Sequence, residues 1–187
     1  MSREVVLVRH GETEWSRSGQ HTGTTDLPLL PEGEAQAREV APRLAGREFA
    51  LVLCSPMQRA RRTAELAGFG DRAEPDADLK ERNYGVYEGR TTKEIRVEHP
   101  GWDVWRDDCP GGETLEQLAA RTDRVIERAL AAEGDTLLFA HSHLLRELAG
   151  RWIGLGPDGG GKLRLNTATV STLGWERERR VILAWNA

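Results

Sequence analysis

Cysteine is scarce in this chain. The two that occur, Cys54 and Cys109, lack CxxC spacing, which suits a reducing compartment with buried or idle thiols. No apolar run approaches the roughly 20 residues that a membrane-spanning helix needs, and no apolar h-region stands before the first strand. The expectation is therefore a soluble cytoplasmic protein with no membrane partner. Positive charge is not in excess either. A net charge of −4 and a pI near 5.8 argue against nucleic acid or an anionic membrane as the main partner. Internal repeats and low-complexity tracts are absent. What remains is ordinary globular material: 187 residues, 39% apolar and 30% charged, enough for a single domain spanning 1–187 with a sizeable core.

The organising stretch is Val5-Val6-Leu7-Val8-Arg9-His10-Gly11-Glu12-Thr13-Glu14-Trp15. Its four apolar residues read as a short strand buried on both faces, and the run breaks on Arg9-His10-Gly11. Ligands of open α/β sheets bind outside the carboxyl ends of the strands, so a titratable His beside an always-charged Arg at such an end is a candidate site. A second strand ends the same way, in Thr136-Leu137-Leu138-Phe139-Ala140-His141-Ser142-His143. At a third place, Leu51 to Thr63, a strand runs into a helix and puts Arg59 in its first turn. Three strand ends thus supply Arg9, His10, Arg59 and His141. That set suits an anion with more than one negative charge, since Arg forks match phosphate oxygens and helix amino ends attract them.

These residues resemble the histidine phosphatase superfamily, the phosphoglycerate mutase-like enzymes. Arg9-His10-Gly11-Glu12-Thr13 looks like the family's RHG signature, and the other marks stand in family order. They are Thr22-Gly23, Ser55-Pro56 with Arg59-Ala60 and Thr63, Glu81 to Gly85 with Glu88-Gly89, Pro110 to Glu113, and Ala140-His141. The resemblance covers nearly the whole chain. It implies a three-layer α/β/α sandwich with a mostly parallel central sheet, His10 as nucleophile, Arg9, Arg59 and His141 around the phosphoryl group, and Glu81 as proton donor. Glu12 and Glu14 are weaker candidates for that last role. It also implies phosphate contacts at Ser16, Thr22, Gly23 and Ser142; the family usually has Asn where Ser16 stands, and a hydroxyl can still donate.

Alternation of helical and strand periodicities supports the α/β class on its own. Pro31-Glu32-Gly33-Glu34 opens a helix behind Leu30, a poor N-cap, and Pro42 should end or kink it. Helices are expected near 56–67, 113–132 and 143–153, a strand at 136–140, and a C-terminal β-hairpin from 168–175 and 181–185. Residues 16 to 30 read as a polar connection. Trp102, Trp105 and Arg106 sit in a turn-rich stretch that either walls a pocket or tucks on the core. Gly156 to Lys162 spells GxxxxGK, but Leu163 follows where a P-loop has Ser or Thr, and the order is helix then strand; a flexible loop is the reading.

The function expected from all this is hydrolysis of small phosphomonoesters, sugar phosphates or similar, through a phosphohistidine, with no cofactor and no metal. His10 must be neutral to attack, with one ring nitrogen held as N–H by a backbone carbonyl. A cofactor-dependent phosphoglycerate mutase is the alternative. Only 20 residues separate Gly89 from Pro110, where mutases resemble one another in a longer insertion over the substrate, and an open site favours water. A metallohydrolase built on His141-Ser142-His143 and a non-catalytic phosphate-binding module are the other classes. The sequence leaves a homodimer open, along with the role of His143.

Overall fold

A computed structural model describes residues 3–187. In chain order the elements are β1 (Val5–Arg9), α1 (Glu14–Ser18), α2 (Pro31–Arg38), α3 (Val40–Leu44), β2 (Leu51–Cys54), α4 (Gln58–Leu66), β3 (Glu74–Pro75), α5 (Thr92–Glu98), α6 (Leu115–Ala131), β4 (Thr136–Ala140), α7 (Ser142–Trp152), β5 (Val170–Glu176) and β6 (Arg179–Ala184). The strands form one sheet in the order β3-β2-β4-β1-β5-β6. β1 to β4 are parallel, while β5 runs antiparallel to β1 and pairs with β6 as the C-terminal hairpin.

The period of two along each strand sorts the apolar residues onto two faces. Val5 and Leu7 of β1, Leu138 and Ala140 of β4 and Leu53 of β2 pack with Leu118, Val125 and Ile126 of α6 and Leu144, Leu148 and Trp152 of α7. Val6 and Val8, Leu137 and Phe139, and Val52 and Cys54 face the other way, against Val40 and Leu44 of α3 and Ala60 and Ala64 of α4. Three layers result. Strands buried on both faces read as the near-continuous hydrophobic runs seen in β1 and β4.

Pro42 acts as expected. It lacks an N–H and its ring crowds the carbonyl four residues back, that of Arg38, and the helix breaks there into α2 and α3. Leu30 gives α2 no side-chain cap. The α1 helix runs into the stretch expected to be polar connection from residue 16, and α5 lies where no element was expected, yet each carries a capping box, Thr13 with Ser16 and Thr91 with Glu94. The GxxxxGK stretch ends in a 3-10 turn, Gly159–Lys162, packed on α7. Among the described residues no helix is long and apolar enough to cross a membrane.

The loop that follows β1 is clamped to the start of α2. The Leu30 N–H donates to the Glu12 carbonyl at 2.9 Å and the Glu12 N–H to Gln36 Oε1 at 3.0 Å. Two glycines allow that approach: a Cβ on Gly33 would lie 2.1 Å from the Glu12 carbonyl oxygen, and one on Gly11 would lie 2.2 Å from that of Gly33. Backbone cannot yield as a side chain does. Gly33→Ala is expected to cost about 1–3 kcal/mol, read as a lowered urea midpoint; an unchanged midpoint would show that this contact is looser than described.

Candidate active site

Parallel register brings three strand ends to one rim. Arg9 pairs with Ala140 and Cys54 with Phe139, so the residues just beyond, His10, His141 and Ser55, fall side by side. The His10 N–H continues the ladder to the Ala140 carbonyl at 3.0 Å, and the Ser55 N–H reaches the Phe139 carbonyl at 2.9 Å. The His10 and His141 ring centroids are 5.2 Å apart.

Beside this rim opens a cleft of about 310 Å³. Of the residues expected at the site, Arg9, His10, Ser16, Thr22, Glu81 and Ser142 line it. His10 is buried, and its Nδ1 lies 2.7 Å from the Gly11 carbonyl oxygen. A carbonyl can only accept, so Nδ1 carries the proton and, in the neutral ring, Nε2 keeps its lone pair. Burial first, then Arg59 and Arg9, holds the His10 pKa well below the ordinary imidazole value. The ring is neutral at neutral pH.

Arg9 donates through Nη1 to the Leu165 carbonyl at 2.6 Å, while its buried Nε–H has no partner in the protein. Burial lowers its pKa to about 10, which still leaves it charged. Glu81, in the loop between Leu79 and Tyr84, reaches the cleft beside the first turn of α7. Its carboxyl group accepts from the N–H groups of Arg82, His143 and Leu144 at 3.0, 2.9 and 3.0 Å, which fixes its direction.

Three expected residues do not line the cleft. Arg59 is fully buried behind His10, its Nε–H donating to His141 Nδ1 at 3.1 Å and its two Nη groups to the carbonyls of Thr25 and Gly23 at 2.9 and 3.1 Å. Since Arg59 can only donate, His141 Nδ1 is bare and its Nε2–H points to Ser55 Oγ at 2.7 Å. Burial and Arg59 lower the His141 pKa well below the ordinary value, so this ring too is neutral. Gly23 turns its N–H to the Glu88 carboxylate at 2.8 Å, away from the expected phosphate position. Ser16 reaches the cleft, but its hydroxyl is engaged with the Thr13 backbone, accepting at 2.8 Å and donating at 3.0 Å, which replaces the expected outward donation. The pair His141 and His143 also diverges, one ring toward Ser55 and the other toward Tyr84, so the two do not form a metal-binding HxH. Among the described residues no group of three or more His, Cys, Asp or Glu is disposed to hold a metal ion.

Sequence reasoning gave no role to several residues of the wall: Trp15, Gln20, His21, Tyr84, Val104 and Arg146. Arg146 follows the second histidine by one helical turn plus one residue, and that spacing from a strand-end His could have flagged it. The two tryptophans of the turn-rich stretch part company. Trp105 lines the cleft, while Trp102 is buried with Tyr87, Ile95 and Cys109 in a small core of its own. Arg106 is exposed and away from the cleft.

The description of the histidine phosphatase superfamily, branch 1, fits residues 5–187. The chain belongs to that family. Among similar histidine phosphatases, an acid phosphatase of Mycobacterium tuberculosis is 38% identical over 94% of this chain and 88% of its own length. Sedoheptulose 1,7-bisphosphatase of Saccharomyces cerevisiae is 40% identical over 83% of this chain and 69% of its own. A probable phosphoglycerate mutase of Photorhabdus laumondii is 32% identical over 97% and 89%. A solved structure of an open reading frame product from M. tuberculosis superposes with a TM-score of 0.94 at 36% identity, covering 98% of this chain and 97% of that one. The phosphoglycerate mutase-like fold expected from the sequence is the fold observed.

The buried titratable groups make this phosphatase's stability depend on pH with a definite sign. His10, His21, His141 and His143 have pKa values below the ordinary 6.5, His21 at about 4, all chiefly through burial. The unfolded chain therefore takes up their protons first, and the stability their neutrality provides is full above pH 6.5 and lost on acidification. Glu147 acts oppositely: burial raises its pKa to about 8, so the native state holds its proton and loses stability as pH rises from 4.5 to 8. Each unfolded imidazole is still half protonated at pH 6.5, so four of them outweigh the single proton of Glu147 until about pH 7, and above that Glu147 dominates. Urea unfolding between pH 4.5 and 8 is expected to give greatest stability near pH 7; a maximum at either end of that range would contradict the burial of these groups.

Proposed function

We propose that this histidine phosphatase hydrolyses phosphomonoesters of small hydroxylated metabolites through a phosphohistidine at His10. The observation that carries the reading is the bond from His10 Nδ1–H to the Gly11 carbonyl beside the unpartnered Nε–H of Arg9. One supplies a nucleophile already in the right tautomer, and the other a buried donor waiting for an anion. His10 Nε2 attacks phosphorus, an N–P bond forms as the ester P–O bond breaks, and the leaving oxygen takes a proton from Glu81. Water then attacks the phosphohistidine, gives its proton back to Glu81 and frees inorganic phosphate.

Charge stabilisation falls to fixed arginines. Arg9 lines the cleft, and Arg59 and His141 stand directly behind the nucleophile, so positive potential is in place before charge develops and no reorganisation is required at the moment of transfer. Arg59 also helps keep His10 unprotonated. Ser142 and Thr22 line the same cleft and are the remaining candidates for contact with the transferred group.

Transfer to a rebound phosphoglycerate is the second reading, favoured by the similarity to the probable mutase. Against it stands the 20-residue span from Arg90 to Cys109, which is spent on α5 and the core around Trp102 and leaves little to close over the cleft. An open cleft gives water access and holds product weakly.

The test has two arms. Rapid quenching with labelled substrate is expected to trap an acid-labile, alkali-stable phosphoprotein that His10→Ala cannot form, and phosphate release from a panel of sugar phosphates is expected to exceed conversion of 3-phosphoglycerate to its 2-isomer. Label on another residue, or faster isomerisation, would overturn the reading.

The proton-donor role of Glu81 yields a separate expectation. Glu81→Gln keeps the shape and removes the proton, so it is expected to slow alkyl phosphates by roughly 10²–10⁴-fold, and p-nitrophenyl phosphate, whose leaving group needs little help, far less. Equal losses on both would assign Glu81 to holding α7 in place.

A further inference from the structure

His143 stands in the cleft wall with one nitrogen unaccounted for. Its ring is buried, Nδ1 lies 3.3 Å from the Tyr84 hydroxyl, and Nε2 is buried with no partner in the protein. Buried polar atoms are rarely left alone, and this one belongs to a residue that lines the cleft. The ring cannot turn away easily. Trp105 stacks on it with centroids 3.7 Å apart and planes 33° from parallel, and the Arg146 guanidinium lies 4.4 Å from the Trp105 ring centre. The Gly160 and Gly161 backbone packs so closely on Trp105 that a Cβ at either would meet the indole at 2.6 and 2.9 Å. Trp105, braced by these neighbours, clamps His143.

We infer that His143 Nε2 is a specificity-determining donor that recognises an oxygen on the leaving group of the substrate, with Tyr84 and Trp105 as its positioning residues. The inference rests on the phosphomonoesterase reading of the same cleft and names what that reading leaves open, the feature that selects hydroxylated esters over plain ones. The Tyr84 hydroxyl, a better proton donor than a neutral imidazole N–H, gives its hydrogen to Nδ1, and this sets the ring proton on Nε2. Burial keeps Tyr84 protonated and His143 neutral, so the arrangement persists at neutral pH. The nearest cations, Arg82 and Arg146, oppose a second proton on the ring. A neutral N–H presented from a rigid stack suits a hydroxyl oxygen on the carbon chain beyond the ester.

The test compares fructose 6-phosphate with phenyl phosphate, whose leaving group offers no oxygen beyond the ester. His143→Phe keeps the flat ring against Trp105 and removes the donor. It is expected to lower kcat/KM for the sugar phosphate about tenfold, the size of one hydrogen bond, and that for phenyl phosphate by less than threefold. His143→Gln, which restores an N–H near Nε2, is expected to recover most of the sugar-phosphate activity. Tyr84→Phe leaves the imidazole in place and frees its tautomer, so it should show the same selective loss at smaller size even if His143→Phe folds poorly. Equal losses on both substrates, or no loss on either, would overturn the proposal while leaving the phosphatase reading intact. Phosphate release from neither substrate by the unmodified enzyme would instead remove that reading, and the proposal with it.

Discussion

The register between β1 and β4 governs everything at the rim. Parallel strands end together only if their ladders are in step, and here Arg9 opposite Ala140 sets His10 beside His141, with Ser55 next along. A slip of one residue would send Val6 and Val8 from one face to the other and turn His10 away from its neighbours. The apolar alternation that fills the two core layers is therefore what aims the nucleophile. Core and chemistry are specified by the same residues.

Above that frame the charges are arranged in depth. Arg59 is spent on holding the inner wall, through His141 and the carbonyls of Gly23 and Thr25, whereas Arg9 lines the cleft and keeps its Nε–H free of any protein partner. Glu81 is tied to α7 and to its own neighbour by three amides, so its direction depends on the helix start. Each outward group is braced by an inner one, which is how a small fold holds reactive side chains in place.

Much of this was legible in the residues. The runs at β1 and β4 have the length and branching of doubly buried strands, and each His announces itself by breaking such a run. Pro42 told of the break at Arg38, and the missing Ser or Thr after Lys162 disposed of the nucleotide loop. What stayed hidden depended on side-chain partners. No spacing shows that Glu88 takes the amide of Gly23, that the Ser16 hydroxyl folds back on Thr13, or that Arg59 lies behind the cleft. Arg146, His21 and Tyr84 reach the wall from three separate parts of the chain, and only the fold brings them together. The capping boxes of α1 and α5 were the exception: Thr13 with Ser16 and Thr91 with Glu94 were readable signals.

The neutrality of the buried imidazoles has a consequence for how the cleft attracts its ligand. With His10, His21 and His143 uncharged, the positive side of the cleft is made of guanidinium groups alone, and these hold their protons across the whole biological range. The basic wall is thus a constant field. A phosphomonoester, by contrast, gains its second negative charge near pH 6, so the arginines of the wall contribute a fixed background against which the ligand's own ionisation is read.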